Sequence, residues 1–234
     1  MMELHTSDRL SALKNKHAGE RAILVCNGPS LNQMELRFLR KHTCIGLNKI
    51  FLGFKKFGFY PNYYVAVNDL VIEQSAAQIK DLNCIKFISQ RNAKHVPESA
   101  LTHHIRTHRP PQQFCTDITQ GVNEGYAVTY AALQVAYYLG FKEVVIVGMD
   151  HRYIYHGQPN ETHLLPGDDP NHFAPDYFGG QRWDNPDLAN SESSYKLARK
   201  VFEADGRRII DATFNGACTV FEKQPYTEVF KSDL

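Results

Sequence analysis

The 234-residue chain carries no excess of either charge: 26 Lys and Arg stand against 25 Asp and Glu, a formal net charge of +1. It has no basic block of the length a nucleic-acid tail needs. The clusters at residues 37–41 and at Lys55-Lys56 are short enough to be solvated helix faces, so no nucleic-acid partner is expected. Nowhere does it reach the roughly 18 consecutive apolar residues that span a bilayer, and its opening MMELHTSDRL lacks an apolar signal region. A cytoplasmic location is expected, with contact to a membrane surface or a polysaccharide assembly left open. The five cysteines, Cys26, Cys44, Cys84, Cys115 and Cys218, are widely spaced and form no CxxC pair. They read as free thiols in a reducing compartment, not as a zinc site. The dinucleotide fingerprint and the P-loop lysine are missing too, and no internal repeat or disordered linker stands out.

What is present suits one folded domain. The hydrophobic share of 43% and charged share of 22% are ordinary for a globular chain, and the length supports a sizeable core. Twelve Tyr and fourteen Phe serve a core, a stacking site or an interface equally. Residues 1–20 read as an N-terminal helical extension, with a helix over 7–17 capped by Ser7 and with Leu10 and Leu13 on one face. Residues 21–234 read as one domain. Apolar runs at 22–26, 43–47, 63–67, 84–88, 143–147 and 207–211 predict strands, and 219–221 a short edge strand. Helices are expected from Ser30 to about Arg40 on the spacing of Leu31, Met34 and Phe38, from Asp69 to about residue 80, over 126–139 with Gly140 as the stop, and over 191–204. Residues 91–123, with His95, His103, His104, His108 and Pro110-Pro111, read as short irregular elements. Residues 150–190 form a polar, aromatic loop of a length that is usually functional. The alternation predicts an α/β fold: a Rossmann-like, mostly parallel sheet flanked by helices, with a long active-site loop region. Ligands of such sheets bind beyond the carboxyl ends of the strands.

Asn27, Asn48, Asn68-Asp69 and Asp150 each follow an apolar run, which brings their polar groups to that edge. In Asn27-Gly28-Pro29-Ser30, Gly28 permits close backbone approach, Pro29 sets the turn, and Ser30 caps a helix whose first amides attract a phosphate. The same four residues also make an ordinary strand-to-helix turn. Asn48 and Asn68 carry a donor and an acceptor each, suited to ribose hydroxyls or a base edge, or simply to turns. Asp69 can hold a cation or cap the following helix. Gly125 and Thr129 flank the start of the 126–139 helix, where loop amides and a hydroxyl can hold a nucleotide or cap the helix. Asp150 is placed for a metal, for catalysis or for loop amides, and Tyr153 can donate to a departing phosphate oxygen. His172 is the foremost general-base candidate, because an imidazole titrates near neutrality; its plainer use is a hydrogen bond inside a packed loop. Tyr177, Phe178 and Trp183 can exclude water or stack, and Arg182 can hold an anion.

The set Asn27-Gly28-Pro29-Ser30-Leu31, Asn48, Asn68, Gly140-Phe141-Lys142-Glu143 and Gly148-Met149-Asp150 resembles a bacterial group. That group comprises sialyltransferases of lipooligosaccharide synthesis and nonulosonic acid transferases of flagellin modification. The chain also resembles the broader family related to archaeal hydroxymethylpterin pyrophosphokinases. The likeness runs from about residue 21 to about residue 221. It implies a Rossmann-like fold and, in the sialyltransferase branch, an inverting, metal-independent glycosyl transfer from a CMP-activated sugar acid, with no further cofactor. By this resemblance Asn27 and Gly28 contact the donor phosphate or ribose, and Asn48 and Asn68 lie along the nucleotide and sugar. Tyr153 helps the phosphate leave, and His172 is the base. The group's His-Tyr pair is His172-Phe173 here, its second phosphate tyrosine has only Tyr155 as a match, and its Ser-Gly pair is not reproduced at 125–129. The pyrophosphokinase branch implies instead a Mg²⁺ ion on Asp150, Asp168 or Asp169 and ATP as donor. A third reading is a non-catalytic nucleotide-binding subunit. A small-molecule or glycan acceptor and a homo-oligomer complete the expected partners.

Overall fold

Strands buried on both faces have no polar alternation, and the apolar runs form such strands. The structure, a computed structural model, describes residues 6–234; the cap read at Ser7 and the first residues of the N-terminal extension lie outside the described residues and side chains. In chain order the strands are β1 Arg21–Val25, β2 Cys44–Leu47, β3 Tyr63–Ala66, β4 Ile85–Ser89, β5 Thr102–Ile105, β6 Thr107–His108, β7 Val122–Asn123, β8 Glu143–Val147, β9 Thr162–Leu164, β10 Arg182–Asp184, β11 Arg208–Asp211 and β12 Glu222–Lys223. The helices are α1 Thr6–Ser11, α2 Phe54–Phe57, α3 Asp69–Gln74, α4 Ala76–Asp81, α5 Val128–Tyr138, α6 Leu188–Ala204 and α7 Tyr226–Val229.

Eight strands form one sheet in the order β12-β11-β8-β1-β2-β3-β4-β5, and every neighbouring pair is parallel. Side chains alternate between two cores. On β1, Ala22 and Leu24 face the layer built by α5 and α6. Ile23 and Val25 face the layer that contains Phe173, Tyr177, Phe178 and Trp183 from the long loop. The chain runs outward from β1 to β5 and then returns to place β8 on the other side of β1. The order reverses between these two strands, which is where open α/β sheets bind ligands. Their register pairs Val25 with Val147, so the loops after them leave abreast.

Several elements differ from the sequence reading. Residues 91–123 contribute β5, a full edge strand of the main sheet. The helix expected over 30–40 is two 3-10 turns, Pro29–Gln33 and Arg37–Lys41, separated at an extended Met34 (φ −111°, ψ 145°). Leu31, Met34 and Phe38 are buried all the same, so their spacing was real but two short turns serve it. The helical stretch after Asp69 breaks at Ser75 into α3 and α4. The N-terminal helix ends at Ser11. Residues 12–19 are turns that dock on the end of α5: the amides of Asn15 and His17 donate to the carbonyls of Tyr138 and Leu139 at 3.0 and 2.8 Å.

That docking meets Gly140, whose φ is +94° and whose hypothetical Cβ would sit 2.8 Å from Asn15 Cα. Gly140→Ala is expected to destabilise the fold by about 2 kcal/mol or more, from the left-handed backbone and the clash together. Urea denaturation reads this directly, and an unchanged midpoint would contradict the docked N-terminal segment.

Candidate active site

The loops after β1 and β8 are tied together by one carboxylate. Asp150 Oδ2 accepts from the Ser30 amide at 2.9 Å, and its Oδ1 accepts from the Ser30 hydroxyl at 2.5 Å. The Gly28 amide donates to the Gly148 carbonyl at 2.8 Å. A Cβ on Gly28 would overlap the Asp150 carboxylate, which is why glycine stands there. Two sequence assignments change as a result. Asp150 serves as a clasp whose two oxygens already accept protein donors. The phosphate cradle read at residues 28–31 has no free amide, since Gly28, Ser30 and Leu31 have acceptors and Pro29 has no N–H. Pro29 and Ser30 lie beneath the site and do not line it.

Beyond this clasp opens a cavity of about 190 Å³. Of the residues read from the sequence, Asn27, Gly28, Asn48, Asn68, Thr129, Asp150, Tyr153 and His172 line it together. Asn27 Oδ1 and Asn48 Oδ1 are buried without a hydrogen-bond partner, as is Trp183 Nε1. Buried polar atoms are nearly always paired, and these three belong to residues lining the same cavity. Three non-glycine residues with left-handed backbone also line it: Asn48 (φ 46°), Tyr126 (φ 64°) and His151 (φ 55°). Such conformations cost about 1–3 kcal/mol each and cluster at functional sites. No side chain caps the start of α5, and Val128 and Thr129 face the cavity there. The anion-attracting helix start is therefore that of α5 and not the one read at Ser30.

The remaining assignments change with the geometry. Asn68 lines the cavity but caps α3, its Oδ1 accepting from the Val71 amide at 3.0 Å. Asp69 binds Asn92 Nδ2 at 2.6 Å and Arg91 at 3.2 Å and lines a neighbouring cavity of about 510 Å³. Gly125 (φ +54°) makes the turn before α5, where a Cβ would strike the Tyr130 ring. Thr129 Oγ1 lies 3.5 Å from Cys26 Sγ. Arg182 is exposed beside Glu73 at 3.5 Å; β10 alternates, so Trp183 points inward and Arg182 outward. Among the described residues no three His, Cys, Asp or Glu side chains group to hold a metal ion; of the carboxylates read for Mg²⁺, Asp150 lines the cavity, Asp169 is buried and Asp168 is exposed.

Asp169 instead orients His172. Its Oδ2 lies 2.8 Å from His172 Nδ1, and the carboxylate is 1% exposed. It also accepts from the amides of Asn171 and Phe178 at 2.8 and 3.2 Å. The Nδ1 bond leaves Nε2 for the cavity that His172 lines. The imidazole lies flat on Tyr177, with centroids 3.9 Å apart and planes within 4°. Tyr177 OH accepts from the Lys49 amide at 3.2 Å. The Lys49 ammonium, itself buried, donates to Tyr177 O at 2.6 Å, Gln181 Oε1 at 2.8 Å and Gln74 Oε1 at 3.3 Å. It also sits 4.4 Å from the Phe178 ring centroid. Burial lowers the Lys49 pKa to about 8, against the pull of Asp169 and Asp176. The Tyr153 ring is 6.3 Å from that of His172. Burial of its hydroxyl, then Cys26, Asp150 and Asp169, push its pKa up, so it stays a neutral donor. Sequence reasoning missed Asp169 as the orienting carboxylate, along with Lys49 and Tyr126. Only the Asp169-x-x-His172 spacing hinted at any of these.

Two outcomes follow from this geometry. Asn27→Ala removes an orphan carbonyl, so the denaturation midpoint of the free protein should stay or rise while ligand affinity falls; a loss above about 1 kcal/mol would contradict the assignment. For Lys49 the sign is that of a depressed basic group. Between about pH 8 and about 10.4 the unfolded chain holds a proton that the folded chain has released, so this group's contribution to stability rises with pH across that window. Lys49→Met should abolish that rise in denaturation series spanning it, and equal slopes in both proteins would refute it.

The 6-hydroxymethylpterin diphosphokinase MptE-like family matches residues 1–156, which run past β8 into the long loop and stop before His172. A MAf glycosyltransferase from Magnetospirillum magneticum AMB-1 has a similar fold, with a TM-score of 0.58 at 12% identity, over 94% of this chain and 37% of that one. The chain thus spans little more than a third of that protein. No curated protein matches the chain in sequence. Among the described residues no helix is long and apolar enough to cross a membrane. With the match covering two-thirds of its length, β1 and β8 included, the chain belongs to the 6-hydroxymethylpterin diphosphokinase MptE-like family.

Proposed function

We propose that this chain is a glycosyltransferase that draws on a nucleotide-activated sugar, with His172 as general base. The observation that carries the reading is the buried Asp169–His172 pair, whose free Nε2 belongs to a cavity rimmed by an uncapped helix start. The acceptor hydroxyl attacks the anomeric carbon and gives its proton to His172 Nε2. The bond from that carbon to the phosphate oxygen breaks, and the nucleotide departs with the electron pair. The first amides of α5 and the neutral Tyr153 hydroxyl stabilise the charge developing on the phosphate. Asp169 keeps the imidazole in the tautomer that accepts at Nε2. The similar fold of a glycosyltransferase supports this reading. So does the engagement of Asp150 with Ser30 and of Asp169 with Asn171 and His172, which gives these carboxylates roles that need no metal. A CMP-linked sugar acid as donor and a surface glycoconjugate as acceptor are the finer form of the proposal, resting on the sialyltransferase likeness.

A melting-temperature screen with CMP, UDP, GDP and ATP, each with and without Mg²⁺, names the donor class. A pyrimidine nucleotide acting without metal is expected, and stabilisation by ATP with Mg²⁺ alone would favour diphosphate transfer. His172→Ala should lower turnover by about 10²–10⁴ and Asp169→Asn by less, both with nucleotide binding retained. Full activity in His172→Ala would remove the base from the scheme.

A further inference from the structure

Resting on the nucleotide reading, we propose that Trp183 is a ligand-binding residue, its indole N–H donating to a hydroxyl of a ring seated in the cavity it shares with Asn27 and Asn48. Trp183 is 3% exposed, lines the cavity from the loop side on β10, and holds its Nε1 buried with no acceptor. An indole nitrogen can only donate, and leaving it unpaired costs about 1–3 kcal/mol. On the same cavity, just past the ends of β1 and β2, stand two carbonyl oxygens in the same condition, Asn27 Oδ1 and Asn48 Oδ1. A ligand that satisfies both kinds of group must accept from one and donate to the other. A hydroxyl does both with one oxygen, so a ring carrying adjacent hydroxyls matches this set. The start of α5, on the same cavity, leaves room for the phosphate attached to such a ring. Two rings share this chemistry, the ribose of the nucleotide and the sugar it carries.

The chain has a single tryptophan, so its one indole ¹⁵N–¹H resonance reports this group alone. CMP, UDP, their 2′,3′-dideoxy counterparts, and CMP- and UDP-linked sugars are titrated into the wild-type chain and into Trp183→Phe. The indole proton should move downfield on saturation, and Trp183→Phe should bind the effective nucleotide about tenfold more weakly. If the ribose is the partner, removing its hydroxyls and removing Trp183 give losses that do not add. If the carried sugar is the partner, both effects require the linked sugar. A nucleotide that stabilises the protein while neither it nor its sugar-linked form moves the indole resonance or loses affinity in Trp183→Phe overturns this assignment and spares the nucleotide reading. Binding by none of these probes overturns both. The wild-type resonance decides the matter even if the variant fails to fold.

Discussion

The cleft depends on the clasp that Asp150 makes across the reversal point of the sheet. Parallel register alone brings the loops after β1 and β8 side by side. What holds their polar groups on one edge is a carboxylate on one loop that accepts both the amide and the hydroxyl of Ser30 on the other. Gly28 is the steric complement of that bond, because only a residue without Cβ lets the carboxylate pass. With the clasp closed, Asn27 is left facing the cavity with an unpaired oxygen. The donors near the clasp are engaged, so the uncapped helix start on this cavity belongs to α5.

A second tie hangs the long loop over this edge. Asp169 gathers two amides and the imidazole of His172, while Lys49 reaches up from the end of β2 to the Tyr177 carbonyl and the Gln181 side chain. A buried ammonium is costly to desolvate, and its lowered pKa expresses that cost. The return is a His172 imidazole held between the Tyr177 ring and the Asp169 carboxylate, the rigidity the proposed base needs. Preorganisation of this kind is how a general base is kept at productive geometry. The loop is thereby a wall of the site, built on the sheet's second hydrophobic core.

The strands were legible because double-sided burial writes itself as short unbroken apolar runs, as in 143–147. β5 was hidden because its sequence, Thr-His-His-Ile, carries no such run; pairing with β4 makes it a strand. Helical spacing misled at 30–40, where the same buried residues sit on two 3-10 turns. At the site, the positions of Asn27, Asn48, Asp150 and His172 could be read from their places after strands and in the long loop, and all four line one cavity. Their partners could not be read, since Ser30 meets Asp150 across 120 residues of chain. Trp183 and Arg182 show the limit plainly: which neighbour faces inward depends on the two-residue alternation of a strand, β10, that composition alone did not reveal.

The most direct test of the account is a crystal structure with a bound pyrimidine nucleotide. The account predicts its phosphate at the first amides of α5, with His172 Nε2 facing the carbon or oxygen beyond that phosphate and the Asp150–Ser30 bonds intact. A nucleotide seated elsewhere on the sheet, or one that breaks the Asp150 clasp to reach the amides of residues 28–31, would contradict it.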